Sequence, residues 1–91
     1  YRLSQSYPNP FTEGGTTIEF DMPVTEQITM VILDIRGRVV RTLINNEQRF
    51  GYQSVVWDAK NDDGDKVSSG VYFYQIRSTN FNAVGKLVFV K

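Results

Sequence analysis

Thr16-Thr17-Ile18-Glu19-Phe20-Asp21-Met22 decides the fold class. Thr16, Ile18, Phe20 and Met22 fall on one side of an extended chain and Thr17, Glu19 and Asp21 on the other. That period-2 alternation belongs to a strand with one face buried and one in water. Pro23 has no N–H to give to a ladder and is expected to end the strand.

The same reading extends outward. Gln27 to Ile35 carries Ile28, Met30 and Ile32 on one face and Thr29, Val31 and Leu33 on the other. Both faces are largely apolar, as in a strand at the centre of a sheet or covered on both sides. Asp34-Ile35-Arg36-Gly37-Arg38 reads as a hairpin turn in which Gly37 supplies a positive φ and two arginines stay solvated. Val39 to Ile44 returns as the partner strand, Asn45-Asn46-Glu47 reads as polar loop, and Gly51 opens a strand with Val55 and Trp57 on one face. Asp58 to Lys66 holds no apolar residue larger than alanine and reads as a long turn. After Ser68-Ser69-Gly70 comes the most apolar run, Val71 to Ile76, with Tyr72, Tyr74 and Ile76 on one face and Val71, Phe73 and Gln75 on the other. Thr79-Asn80-Phe81-Asn82 reads as the last hairpin loop, leading to a closing strand, Lys86 to Lys91, whose C-terminal residues must pair into a sheet. Lys86, Val88 and Val90 share one face of that strand and Leu87, Phe89 and Lys91 the other, so its register stays open; it is expected at or near a sheet edge. The sum is about seven short antiparallel strands with regular turn signals, the mark of an all-β, immunoglobulin-like β-sandwich.

Composition bounds the function. The 91 residues, 1–91, make one domain with one core. Ten acidic and ten basic residues leave no net charge, which argues against a nucleic-acid partner and against attraction to anionic lipid. No apolar run is long enough for a membrane span and no signal-peptide pattern appears, so a leader for an exported parent is expected upstream of Tyr1. The chain has no cysteine and no histidine. Disulfides and thiol chemistry are excluded, and the commonest general base and metal ligand are missing. Asp62 and Asp63 are neighbours on one loop, with nothing to hold them at the separation an acid–base pair needs across a sugar. The serines have no base to activate them. The expectation is a non-catalytic domain without a cofactor.

Two residue groups invite sharper readings. Asn61-Asp62-Asp63-Gly64-Asp65 suggests calcium, but aligning Gly64 with the sixth position of an EF-hand loop puts Ala59 at the first and Gly70 at the twelfth, where carboxylates are essential. A looser site through Asp58, Asn61, Asp63 and Asp65 remains, against a solvated turn whose side chains accept backbone N–H bonds; the second is favoured. Tyr52, Trp57, Tyr72, Phe73 and Tyr74 suggest a platform for sugar rings. Against it, Trp57 alternates with Val55, and Tyr72 with Tyr74 and Ile76, as inner faces do. Tyr72, just after a glycine, also suits a tyrosine corner whose hydroxyl bonds backbone. Phe73 faces the other way and is the candidate for exposure.

Tyr7-Pro8-Asn9-Pro10-Phe11 has prolines two apart, which should hold residues 7 to 10 extended and out of any ladder while Phe11 turns inward as a plug. Together with Trp57-Asp58, Gly64, Ser69-Gly70-Val71-Tyr72 and the lysine-bounded final strand, this order resembles the C-terminal sorting domain (type A) of type IX secretion cargo. That family is related to the Ig-like domain of the flagellar hook-cap protein. The resemblance runs from Tyr7 to Lys91, with two departures: Thr12-Glu13-Gly14-Gly15 stands where members often have Asn-Pro-Ser, and Ala59 where they often have Gly after Trp-Asp. It implies a passenger address on proteins that cross the outer membrane of Bacteroidota-like bacteria to be secreted or held at the cell surface. Its partners would be the type IX translocon, a surface sorting peptidase and an upstream cargo domain. Lys86, Leu87, Val88, Phe89, Val90 and Lys91 would be the segment the translocon reads. Pro8, Asn9, Pro10, Phe11, Trp57, Asp58, Gly64, Ser69, Gly70 and Tyr72 would be fold determinants. The competing readings are a scaffold domain of a hook-cap-type assembly and a carbohydrate-binding module of a secreted hydrolase.

Overall fold

The alternation around Ile18 forms the strand it implies, but the strand does not stop at Pro23. The computed structural model describes residues 2–3 and 6–91. Five strands run through them: β1 (Arg2–Leu3), β2 (Thr16–Leu33), β3 (Val39–Trp57), β4 (Gly70–Arg77) and β5 (Asn82–Phe89). β2 and β3 form one long antiparallel ribbon in which Thr16–Met22 pairs with Trp57–Gly51 and Glu26–Leu33 with Arg49–Val39. The register breaks between Met22 and Glu26, so Pro23 lies where no ladder bond is asked of it. Asn45-Asn46-Glu47 is likewise not a loop. Ile28 faces Glu47 and Met30 faces Ile44, so Asn45 and Asn46 oppose Thr29 alone as a bulge. Asn46 takes φ 52° there, and its amide donates to Thr29 Oγ1 at 3.2 Å. Gly51 continues β3 instead of opening a strand. The expected seven short strands are therefore five, because two bends that interrupt the hydrophobic alternation do not interrupt the ribbon.

The two halves of the ribbon have different neighbours. β1 pairs with the first half, Arg2 opposite Asp21 and Leu3 opposite Phe20. β4 pairs with the second half from Thr29–Arg77 to Leu33–Phe73, and β5 pairs with β4 along its whole length. The halves face each other across one core made of Ile18, Phe20, Met22, Ile28, Met30 and Ile32 from β2 with Ile44, Trp57, Tyr72, Tyr74, Ile76, Leu87 and Phe89. This is the layering of an Ig-like sandwich, all antiparallel except one isolated parallel bridge, between Phe11 and Phe89. No helix among the described residues is long and apolar enough to cross a membrane.

Trp57 joins the layers. Its ring lies 5.3 Å from Tyr72 in an edge-on contact and 5.6 Å from Phe11, which in turn lies 5.1 Å from Phe89. Such pairs add about 0.5–1.5 kcal/mol each to the burial of the rings. The polar atoms of the cluster are satisfied: Trp57 Nε1–H donates to Lys60 O at 2.9 Å and Tyr72 Oη–H to Ser68 O at 2.7 Å. Tyr72 is thus the tyrosine corner expected of it. Trp57, Tyr72 and Tyr74 are buried and Phe73 is half-buried, so the first three form core and not a platform; of the five aromatics, Tyr52 alone is exposed, at 62 %.

The turns follow their chemistry. Gly37 adopts φ 81°, and Asp34 closes its hairpin by accepting the amides of Arg36 and Arg38 and the Arg38 Nε–H. The Arg38 amide foremost, then the Arg36 amide and the Arg38 guanidinium, hold the Asp34 carboxyl below its ordinary range. Gly15, in the segment that departs from the family pattern, has φ 89° and a Cβ there would sit 2.7 Å from Trp57 O. Only glycine fits.

Candidate functional site at the C-terminal edge

β5 is the last strand in the sheet order, as expected of a strand at an edge. It begins at Asn82, inside the expected loop, and ends at Phe89, so Val90 and Lys91 follow the strand instead of belonging to it. Its register is settled by packing: Leu87 and Phe89 are fully buried, while Lys86, Val90 and Lys91 are exposed and Val88 is half-buried. Lys86, Val88 and Val90 therefore form the outward row. Tyr74 faces Gly85 across β4 and β5, and a Cβ on Gly85 would lie 2.1 Å from the Tyr74 ring, so the missing side chain makes room for a buried tyrosine.

Half of this edge is closed by the Tyr7–Phe11 segment. Asn9 Nδ2–H donates to Lys86 O at 2.9 Å, and the Val88 amide donates to Asn9 Oδ1 at 2.9 Å. The Phe11 amide then donates to Val88 O at 2.8 Å and the Val90 amide to Phe11 O at 2.9 Å. Asn9 carries the donor and acceptor of a peptide group on its side chain, so it extends Phe11 by one more rung. The Lys91 amide donates to Ser69 Oγ at 3.0 Å. Both prolines follow cis peptide bonds. Tyr7 is not out of the ladder as expected, because it exchanges two backbone bonds with Thr17 at 3.0 and 2.8 Å. Thr16 Oγ1 donates to Pro8 O at 2.8 Å, and Phe11 is buried as the plug.

The remaining motif residues gather at the far end of β3. Asp58 Oδ1 accepts from Arg41 and from the Lys60 amide, both at 3.2 Å, and Arg41 also donates to Lys60 O at 3.1 Å. Ala59 is buried at φ 63°, a left-handed conformation that glycine, the residue the resemblance puts after Trp-Asp, would adopt without strain. Gly64, φ 87°, closes a turn by donating to Asn61 O at 3.0 Å. Gly70 opens β4 opposite Phe89.

The acidic turn acts as a second edge closure. Asn61 Oδ1 accepts the amides of Asp63 and Asp65, each at 3.0 Å. The Asp62 amide donates to Val40 O at 3.0 Å, and Asp62 Oδ1 accepts the Thr42 amide at 2.9 Å. Asp58 faces Arg41, not Asn61, Asp63 and Asp65, and among the described residues no group of three or more acidic side chains is placed to hold a metal ion. A groove of about 440 Å³ runs between this turn and the 34–38 hairpin, lined by Asp34, Arg38, Val40, Asp62, Val67 and Tyr72 among others.

The FlgD Ig-like domain family matches residues 6–81. The chain belongs to that family. Its sequence is 40% identical over 74 residues to the basal-body rod modification protein FlgD of Salmonella typhimurium, and equally to that of Salmonella typhi. The match covers 75% of this chain but 32% of either relative, so the chain spans about a third of their length. Among solved structures, PorZ of Porphyromonas gingivalis, an essential surface component of the type-IX secretion system, superposes with a TM-score of 0.68 at 22% identity. That likeness, over 98% of this chain and 11% of PorZ, is one of fold. The family match ends just before β5.

Sequence reasoning marked Asn9 and Ser69 only as fold determinants; both hold the Lys86–Lys91 segment. An asparagine fixed between two prolines was the available signal. Tyr52 stands out in the sequence only as one of five platform aromatics and Tyr7 only as the start of the proline motif; that both donate to Glu19 carried no signal, because the three sit far apart in sequence.

Proposed function

We propose that this FlgD-type Ig-like domain is a non-catalytic sorting domain that directs an upstream cargo across the outer membrane through the type IX secretion system. In this reading the segment Lys86–Lys91 is what the translocon engages, a surface peptidase then acts on the domain, and the product is secreted or held at the cell surface. The observation that carries it is the treatment of that segment: its outward backbone groups and final amides are held by Asn9, Phe11 and Ser69. Three of the expected fold determinants, Asn9, Phe11 and Ser69, thus act on one edge. The Ig-like family and the fold shared with a type-IX surface component support the reading. A fusion of residues 1–91 to a periplasmic reporter in a type IX-competent host tests it. Export that fails when Lys86–Lys91 are deleted is expected; a reporter that stays periplasmic, or export that survives the deletion, overturns it.

The 40% identity to flagellar FlgD favours a second reading, a scaffold domain of a hook-cap-type assembly. That reading requires ring-forming oligomers in solution, which light scattering on the purified parent protein decides.

A further inference from the structure

The outer face of the first half of β2 and the second half of β3, with Tyr7 bridged to Thr17 beside it, carries a built cluster. Glu19 faces Ser54, Asp21 faces Tyr52 and Thr17 faces both Val56 and Tyr7, so all these side chains share the side away from the core. Tyr7, opposite Thr17, and Tyr52, opposite Asp21, lie one row to either side of Glu19 and on opposite sides of β2. Both hydroxyls nevertheless donate to the same Glu19 oxygen, that of Tyr7 at 2.7 Å. Tethered in this way, both residues stay exposed, at 51% and 62%.

We propose that Tyr7, Glu19 and Tyr52 form a binding platform for a neutral glycan chain. Two tethered rings offer flat apolar faces of the kind on which the C–H side of a sugar stacks, at little cost in side-chain ordering. Glu19 and Asp21 supply acceptors beside the rings for sugar hydroxyls. The same two carboxylates repel uronates, sulfated sugars and phosphorylated sugars, which sets the ligand as neutral. A protein partner fits less well. The core of a protein interface is depleted of charged residues, whereas this patch has the Glu19 carboxylate at its centre. Of the five aromatics weighed from sequence as a sugar platform, Trp57, Tyr72 and Tyr74 are buried in the core; this platform keeps Tyr52 and joins it to Tyr7, on the opposite side of the layer from Trp57.

Affinity gel electrophoresis of the 91-residue chain tests it, with laminarin, mixed-linkage β-glucan, xylan and galactomannan as neutral probes and alginate and heparin as anionic ones. Retardation by at least one neutral probe is expected, with affinity falling tenfold or more in Tyr7→Ala and in Tyr52→Ala. Tyr52→Phe should keep part of the binding, since the ring remains and only its tether goes. Val39→Ser, exposed on the other half of the ribbon, is expected to bind as the parent does. Near-ultraviolet circular dichroism of Trp57 verifies that each variant is folded, and Tyr52→Phe keeps the test open if an alanine variant is not. The proposal is overturned by no retardation on any neutral probe, by binding confined to the anionic probes, or by binding that survives in the Tyr7→Ala/Tyr52→Ala double variant.

Discussion

Replacing Asn9 by alanine removes two hydrogen bonds from the edge of β5 and almost nothing else, because Asn9 is itself exposed. The bonds, to Lys86 O and from the Val88 amide, are both 2.9 Å long. A neutral hydrogen bond nets about 0.5–1.5 kcal/mol, and water can take up both groups left behind at this exposed edge, so the pair is worth about 1–2 kcal/mol. For a domain of this size each kcal/mol moves Tm by about 4–8 °C. Urea unfolding followed by Trp57 fluorescence should show a lower midpoint with an unchanged slope, since the area exposed on unfolding is the same. Hydrogen exchange localises the loss. The Val88 amide should exchange faster by more than the global destabilisation, while Leu87, whose amide faces β4 by the alternation of an antiparallel edge, changes only with the whole domain. Asn9→Asp separates the two bonds: it keeps the acceptor for Val88 but sets a carboxylate against the Lys86 carbonyl. Its Val88 protection should persist although its stability falls at least as far as in Asn9→Ala. An Asn9→Ala protein with the parent's midpoint and the parent's Val88 protection would refute the clip.

Gly85→Ala should cost more than 2 kcal/mol in urea unfolding, because the added methyl meets a Tyr74 ring that is 3% exposed and has no open space to move into. Tyr72→Phe loses only the bond to Ser68 O and should cost about 1 kcal/mol, read from the same unfolding curves. On the acid side, two carboxyls are held below their ordinary values: Asp34, chiefly by the Arg38 amide, and Glu19, chiefly by the Tyr52 hydroxyl and then by that of Tyr7. A depressed folded-state value adds stability that is present above the unfolded value, about 4, and is lost as pH falls through the folded one. Thermal melts between pH 7 and 2 should therefore show a decline below about pH 4 that is shallower in Asp34→Asn.

Burial was legible in the sequence where it follows a period of two. The inward rows of β2 and β4, the plug Phe11, the buried Trp57 and the corner formed by Tyr72 all follow from alternation and from partners nearby in the chain. Strand continuity was not legible. Pro23 and the Asn45–Glu47 stretch carry the residue types that end strands, yet the bends they mark fall where the register between β2 and β3 already slips, so no ladder bond is lost. Ala59 hides its role for a similar reason: an alanine gives no hint of a positive φ. The contacts that build the C-terminal edge lie outside any local rule. Asn9 meets Lys86 and Val88 across 77 and 79 residues, and Tyr52 meets Glu19 across 33. The Asn9 contacts depend on the long ribbon folding over, and the Tyr52 contact, away from that edge, on β2 pairing with β3 far from their hairpin; no window of sequence contains either.

The closed edge also decides how its terminal segment can be read. Outward-facing backbone groups of β5 belong to the even-numbered residues, since Val88 gives its amide to Asn9 and its carbonyl to Phe11. From Lys86 O to Val90 N every such group is taken. A receptor that added its own strand to Lys86–Val90 would first have to lift away Asn9 and Phe11. Phe11 is fully buried against Trp57 and Phe89, and undoing contacts of that kind costs about 3–5 kcal/mol before the rungs are counted. Against a whole-domain stability of about 5–15 kcal/mol, that is close to unfolding the edge. Strand addition to the folded domain is therefore disfavoured at the very segment proposed to be recognised. What that segment offers a partner is its outward side chains, Lys86, Val88 and Val90, followed by Lys91, held in register by a clip whose two ends lie almost eighty residues apart. Asn9→Ala and Lys86→Ala consequently separate the two modes in an export assay. Side-chain reading predicts that Lys86→Ala impairs export while Asn9→Ala leaves it near the parent level. Strand addition predicts that Asn9→Ala, by opening the edge, raises it.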